Sequence, residues 1–263
     1  MPELAELRLT SEYIKTVSNG REFTRIEKSQ AHKGIEFSAP YPTFKISAKS
    51  KGKEIVMYLY PNEATPVYTP IRMTMGMSGH FQLTETGKEA KHAHLKFYST
   101  DGYTLSFVDV RRFGKWKLGE EWSSNRGPDP TLEFQNFVRN VKENLHKKDF
   151  DKPICEVLMN QKYFNGIGNY LRAEILYRVD VNPFISAREA LQGNPEIYQL
   201  CKWAPMQAYK LGGGQLKDWE NPFGKESEMK SWSEFMRCYN NPKMNKVVDT
   251  NKRTFWFDPK WNK

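Results

Sequence analysis

The stretch NGIGNYLRAEILYR, residues 165–178, sets two glycines directly ahead of a helical pattern. Leu171, Ile175 and Val179 recur at helical spacing and mark an inward face, with Arg172 and Arg178 off it. Gly166 and Gly168 let a backbone approach a ligand closely, and free N–H groups at a helix start attract phosphate. Asn169, at that start, adds a side-chain donor. The same residues also spell a tight corner between two helices capped by asparagine. Both readings stay open at this point.

Outward from this stretch the helical character continues. LEFQNFVRNVKENL (132–145) and PICEVLMNQ (153–161) precede it, and GNPEIYQLCKWAPMQAYKL (193–211) follows. LGGGQLKDWENPFGKESE (211–228) reads as a polar loop containing glycines. KVVDTNKRTFWF (246–257) reads as two strands around Thr250-Asn251, a hairpin. Arg253 lies at its turn with Lys246 and Lys252 nearby, backed by Phe255, Trp256 and Phe257. Basic residues on such a ribbon can reach a phosphate backbone, and a basic edge on a small packed hairpin has the same sequence.

The first half differs in character. Leu4, Leu7, Ile14 and Val17 recur at helical spacing, with Asn19-Gly20 as a stop. The next segments are FKISA, KEIVMYLY, PIRMTMGMSGHFQLT, HAHLKFYS and YTLSFVDV. They are short and rich in β-branched and aromatic residues, and Asp101-Gly102 gives a hairpin signal. Residues 1–125 therefore read as one helix and a β-rich body, a sandwich. NRGPDPT supplies a linker at 126–130, residues 131–225 form a helical domain, and 226–263 carry the hairpin and tail. The fold class expected is α+β.

Three more segments can carry chemistry. FVDVRRFGKW puts Arg111 and Arg112 beside Phe113 at a strand end, a tip able to hold phosphates and wedge between bases. A solvated strand end with a packed phenylalanine is the plainer reading. In RMTMGMSGHF, Met77 sits between glycines, as core filler or as a probe. In MPELAEL, Pro2 suits a first helical turn, and the helix dipole favours Glu3 and Glu6 there on one face. The acids Asp109 and Asp129 have no hydrolase-like spacing.

The net charge is +9, and the excess divides about evenly between the two halves. That distribution suits a polyanion as partner, and equally suits ordinary solubility. Cys155, Cys201 and Cys238 are an odd number at long spacings, forming neither a disulfide framework nor a zinc site. No histidine follows His146, so a zinc finger in the C-terminal part fails on ligand count. No apolar run approaches the roughly 18 residues of a membrane span. The start lacks a secretory layout.

Taken in order, MPELAEL, GKE, MGMSG, RRFG, NGIGNYLRAEILYR and the C-terminal hairpin resemble the Fpg/Nei family of DNA glycosylases over essentially the whole chain. VDVRRFGKW, DKPICEVL and FNGIGNYLRAEILYR resemble its endonuclease VIII-like branch with a zincless finger. The resemblance implies an N-terminal β-sandwich, a helix–two-turn–helix domain and a zincless hairpin, with DNA in the cleft between. It implies a bifunctional DNA glycosylase/AP lyase, acting on oxidised bases, pyrimidines and hydantoins mainly, and needing neither metal nor cofactor. Removal of Met1 would expose Pro2 as the nucleophilic amine. A chain-terminal amine titrates near pH ~8 against ~10.4 for lysine, so more of it is neutral and reactive.

Glu3 is then the neighbouring acid/base, Glu6 orients Pro2 or its water, and Lys53 is a proton donor or phosphate contact. Met77, Arg111 and Phe113 fill the space left by the flipped base. Asn169 and Arg253 grip phosphates beside the backbone of Gly166 and Gly168, while Arg112 is a backbone or structural cation. Two departures stand out: Ala5 replaces a second proline, and the loop at Met206-Gln207 lacks a basic residue found in some relatives. The expected partner is damaged DNA, double-stranded or in single-stranded or bubble form, bound by a monomer. The expected location is the nucleus in a eukaryote, otherwise the cytoplasm or nucleoid, soluble and neither secreted nor membrane-bound. The rival readings are a catalytically inactive relative that only binds DNA, and a structural RNA-binding protein.

Overall fold

A computed structural model of the chain describes residues 2–61, 67–214 and 229–261. Among these, two compact units separate: Pro2 with Glu6–Trp122, and Glu3–Ala5 with Ser123–Gly214 and residues 229–261. No helix among the described residues is long and apolar enough to cross a membrane.

The first unit is built on α1 (Leu4–Ser18) from Glu6 onward, whose Leu7 and Ile14 reach the core, and on eight strands: β1 (Phe23–Lys28), β2 (Lys45–Lys51), β3 (Glu54–Tyr60), β4 (Thr69–Thr74), β5 (His80–Glu85), β6 (Ala93–Ser99), β7 (Tyr103–Val108) and β8 (Lys115–Leu118). They form two antiparallel four-stranded sheets, in the orders β1-β6-β7-β5 and β2-β3-β4-β8. Alternate residues of both sheets meet in one core: Ile55, Met57, Ile71 and Met73 from one, Phe97, Leu105 and Phe107 from the other. This is the expected sandwich.

Two details were not in the sequence pattern. PIRMTMGMSGHFQLT divides into β4 and β5, which lie in different sheets, so Met75–Gly79 is the crossing between layers. Strands β1 and β8 are polar and lack clean alternation, FTRIEK and KWKL; they pair at sheet edges, where one side of the ladder needs no partner.

The second unit contains α2 (Phe134–Asn144), a 3₁₀ turn at Lys148–Asp151, α3 (Ile154–Val157), α4 (Asn169–Val179), α5 (Ala187–Gly193), α6 (Glu196–Lys210) and α7 (Trp232–Phe235). Its hairpin pairs β9 (Asn245–Val248) with β10 (Thr254–Phe257), as expected around Thr250-Asn251. PICEVLMNQ is helical only over α3. After it, Asn160 O accepts from the Tyr163 and Phe164 N–H groups, and Phe164 O from that of Ile167. These two successive turns lead into α4, giving a helix–two-turn–helix.

Residues 126–130 pack closely: Gly127 N–H donates to Gln161 O, and Asn165 Nδ2 donates to Gly127 O. The loop at 211–228 lies outside the described residues from 215 on. Met206 and Gln207 stand in the last two turns of α6, as the helical reading of 193–211 has it and not in a loop, with Gln207 buried. The α4 reading also needs correcting. Arg172 is not off the inward face but wholly buried, because α4 is covered on nearly every side.

Candidate active site and nucleic-acid contacts

The chain enters at Pro2, half-buried and one peptide bond ahead of Glu3, whose side chain is 1% exposed. Burying a carboxylate is costly unless donors surround it. Here Glu3 Oε1 accepts the Tyr170 N–H at 2.9 Å and Oε2 accepts the Leu171 N–H at 3.2 Å. Both donors belong to the first turn of α4, where N–H groups have no intrahelical acceptor and the helix dipole favours an anion. Leu4 N–H donates to Gly166 O at 3.0 Å, so two consecutive residues are pinned to the glycine corner.

That geometry corrects the reading of the corner. The N–H groups of Tyr170 and Leu171 are taken by a protein carboxylate and not left for phosphate. Gly166 is tied into the protein's own packing. Its φ is 100°, its N–H donates to Gln161 Oε1, and its Cα faces Leu4. A Cβ there would fall 2.5 Å from Leu4 Cδ1, so the glycine is required by Leu4 packing. Gly168 precedes α4 in extended backbone and accepts the Arg172 N–H. Asn169 is half-buried, and its Nδ2 donates to Thr254 O at 2.9 Å.

Arg253 is exposed, next in sequence to Thr254 on the hairpin turn. The turn is built on Asp249, whose Oδ1 accepts the N–H groups of Asn251 and Arg253, each at 2.9 Å. Burial opposes the charge on Asp249, but the Arg253 N–H, the Arg172 guanidinium and the Asn251 N–H outweigh it. Together they hold the carboxyl below its ordinary range. A polar cavity of about 350 Å³ opens beside the turn, lined among others by Lys152, Asn160, Asn251 and Arg253.

In the first unit, Lys53 is half-buried at the β2–β3 turn, beside Gly52 with φ 55°. Glu6 is buried in the first turn of α1. Met77, Arg111 and Phe113 come together at the sheet crossing. A Cβ on Gly76 would lie 2.6 Å from the backbone of Phe113 and Gly114, so the two loops touch through that glycine. Met77 and Phe113 are 38% and 52% exposed, and the Arg111 guanidinium lies 4.8 Å from the Phe113 ring centroid. Exposed apolar tips beside cations suit insertion between bases. Arg112 has φ 55° and donates from its guanidinium to Ala31 O at 3.2 Å.

Sequence reasoning weighed Asp109 only as a hydrolase acid and missed its structural role. It is wholly buried, and it accepts from Ser78 Oγ, Arg111 N–H and Gly114 N–H, tying the Met77 loop to the Arg111–Gly114 loop. Only an acid followed within five residues by a glycine hinted at such a loop. The three cysteines are free and buried, with Cys155 and Cys238 each pushed up to about 12 mainly by burial. Among the described residues no group of three or more His, Cys, Asp or Glu side chains is placed to hold a metal ion.

Comparison with known proteins follows the same two parts. Residues 1–116 match the formamidopyrimidine-DNA glycosylase N-terminal domain, and residues 227–260 match the DNA-binding domain of endonuclease VIII-like 1. Endonuclease 8-like 1 of Homo sapiens is 38% identical, and that of Mus musculus 39%, over 98% of this chain and 72% of each relative. Among solved structures, a Lactococcus lactis Fpg (MutM) in complex with DNA containing N7-benzyl-Fapy-dG superposes with a TM-score of 0.79. It covers 100% of both chains at 19% identity, a likeness of fold.

Proposed function

The chain belongs to the Fpg/Nei family of DNA glycosylases, in its endonuclease VIII-like branch, and on that premise we propose that it excises oxidised bases through Pro2. It is a base-excision-repair DNA glycosylase and AP lyase, and its partner is damaged DNA. Pyrimidines and hydantoins are its main substrates. It works as a monomer without metal, in the nucleus of a eukaryote or the nucleoid of a bacterium.

With Met1 removed, the Pro2 nitrogen is a secondary amine. It adds to C1′ as the glycosidic bond breaks, and the base leaves with that electron pair and takes up a proton. Loss of its proton gives the nitrogen a lone pair that expels the ring oxygen O4′ from C1′; O4′ takes up a proton, and the opened sugar is left as an iminium, an electron sink. Removal of the C2′ proton then expels the 3′ phosphate, removal of the C4′ proton expels the 5′ phosphate, and water hydrolyses the adduct to free Pro2.

Glu3, one peptide bond from Pro2, is the neighbouring acid/base that assists sugar-ring opening and proton transfer. Glu6 orients Pro2 or its water, and Lys53 donates a proton or holds a phosphate. Met77, Arg111 and Phe113 occupy the gap left by the flipped base, whose extrusion costs a few kcal/mol. Asn169, the Gly166 and Gly168 backbone and Arg253 hold phosphates, with Arg112 a backbone or structural cation.

The observation that supports this reading best is the anchoring of Glu3. Two hydrogen bonds from backbone N–H groups fix the residue after Pro2, so the nucleophile has a defined place rather than a frayed end. Borohydride reduction on abasic-site DNA tests it. The protein should be fixed to DNA covalently, and Pro2→Thr should yield no adduct. Salt-dependent binding with no adduct in the parent protein would favour the inactive DNA-binding reading.

A further inference from the structure

Arg172 is the largest fully buried side chain described, 0% exposed in the middle of the DNA-binding unit. A buried guanidinium needs partners for all its donors, and those of Arg172 are distributed unusually. Nε donates to Asn169 Oδ1 at 3.0 Å, and NH2 donates to the same oxygen. NH1 lies 2.8 Å from both Cys155 O and Asp249 Oδ2. The Phe255 ring covers the plane, with its centroid 4.9 Å away. One side chain therefore touches the amide of Asn169, the acid that builds the Arg253 turn, and the strand behind that turn.

The chemistry of these contacts is directional. Arginine donates and never accepts. The Asn169 oxygen must face Arg172, which leaves the amide NH2 to donate to Thr254 O with its second hydrogen and outward side unclaimed. A flipped amide would present oxygen to a phosphate, which repels it. Asp249, held by Arg172, accepts the N–H groups of Asn251 and Arg253 at its Oδ1, and its own N–H donates to Arg253 O at 2.9 Å. Lys252, with φ 59°, completes the turn, its N–H donating to Asp249 O at 2.9 Å.

We propose that Arg172 is a positioning residue for DNA engagement: it sets the flip of the Asn169 amide and the seat of Arg253 together, while touching no DNA itself. This rests on the reading of Asn169 and Arg253 as phosphate contacts. A purely structural ion pair would affect unfolding and leave binding unchanged in any variant that folds. A positioning residue weakens binding and lowers its salt dependence, although no charge is removed from the DNA-facing surface.

The test is the affinity of the full chain for duplex DNA carrying a tetrahydrofuran abasic analogue, measured across salt concentrations. The variants are Arg253→Ala, Asn169→Ala, the paired Arg172→Met/Asp249→Asn, and that pair combined with Arg253→Ala. Pairing avoids leaving Asp249 buried without a counter-ion. The paired variant should bind roughly tenfold or more weakly, with the salt slope reduced by about one phosphate contact. Adding Arg253→Ala to it should cost less than the same change costs in the parent protein. Where the paired variant does not fold, Arg172→Lys takes its place. A single ammonium keeps the charge beside Asp249 but cannot reach Asn169 and Cys155 as well, so binding should again fall.

Parent-like affinity in a folded Arg172 variant, or full additivity with Arg253→Ala, would overturn the proposal. If Arg253→Ala and Asn169→Ala both bind like the parent, the phosphate reading has failed instead, and the two failures are separable.

Discussion

Glu3→Gln perturbs the anchor of the nucleophile with little change of shape. Glutamine keeps one carbonyl oxygen and replaces the other by an NH2 donor. The parent side chain serves two buried donors, Tyr170 N–H at 2.9 Å and Leu171 N–H at 3.2 Å, from separate oxygens. The variant satisfies one, and the other then faces a donor. Leaving a buried N–H unpaired costs about 1–3 kcal/mol. Removing the anion from the α4 N-terminus costs a further ~0.3–1 kcal/mol. The sum is roughly 1.3–4 kcal/mol against local opening of that turn, or between about 10-fold and 1,000-fold in its opening equilibrium. Amide hydrogen exchange at Tyr170 and Leu171 reads this directly. Protection at both amides should drop by that factor, while amides of β3 and β7 keep theirs. Unchanged protection at 170 and 171 in the variant would refute the assignment of Glu3 as the cap of α4.

Gly166→Ala combines a φ of 100° with a Cβ 2.5 Å from Leu4 Cδ1. Left-handed strain of ~1–2 kcal/mol and overpacking of ~1–3 kcal/mol should show in urea unfolding; a change within about 0.5 kcal/mol would contradict the packing role. Phe113→Ala removes a half-exposed ring, so thermal stability should hold while single-turnover excision from duplex DNA falls roughly tenfold, and less from single strands. Equal losses on both substrates would argue against gap filling. His32 and His94 are both held below the ordinary imidazole value, chiefly by burial. The unfolded chain then binds more protons than the folded one just below pH ~6.5, so their contribution to stability is whole above that pH and is lost as pH falls. The melting temperature of the parent should drop on acidification from about pH 7.5 to 5, and His32→Asn/His94→Gln should flatten that slope; an unflattened slope would assign the effect elsewhere.

What the sequence made legible follows the range of the interactions involved. The strands of the sandwich announced themselves because Ile55, Met57 and Leu59 or Phe97, Leu105 and Phe107 must face one core. The hairpin was legible because Thr250-Asn251 interrupts two apolar runs. Arg172 was misplaced because periodicity reports one buried face. The second cover of α4 comes from Phe255 and Asp249, some eighty residues away in the chain. Glu3 was read for its chemistry, but its capping of α4 joins residues 167 and 168 positions apart, which no local pattern encodes. The glycine corner suggested open donors for phosphate. Only the packing of Leu4 against Gly166 and the arrival of Glu3 reveal that part of the corner is already filled.

The central claim is a bond between the Pro2 nitrogen and deoxyribose C1′. The most direct measurement is peptide mapping by mass spectrometry of the borohydride-fixed adduct, made with protein from which Met1 has been removed. The account predicts the sugar remnant on the peptide beginning at Pro2. Attachment at Lys53 or another internal lysine, with Pro2 unmodified, would contradict it.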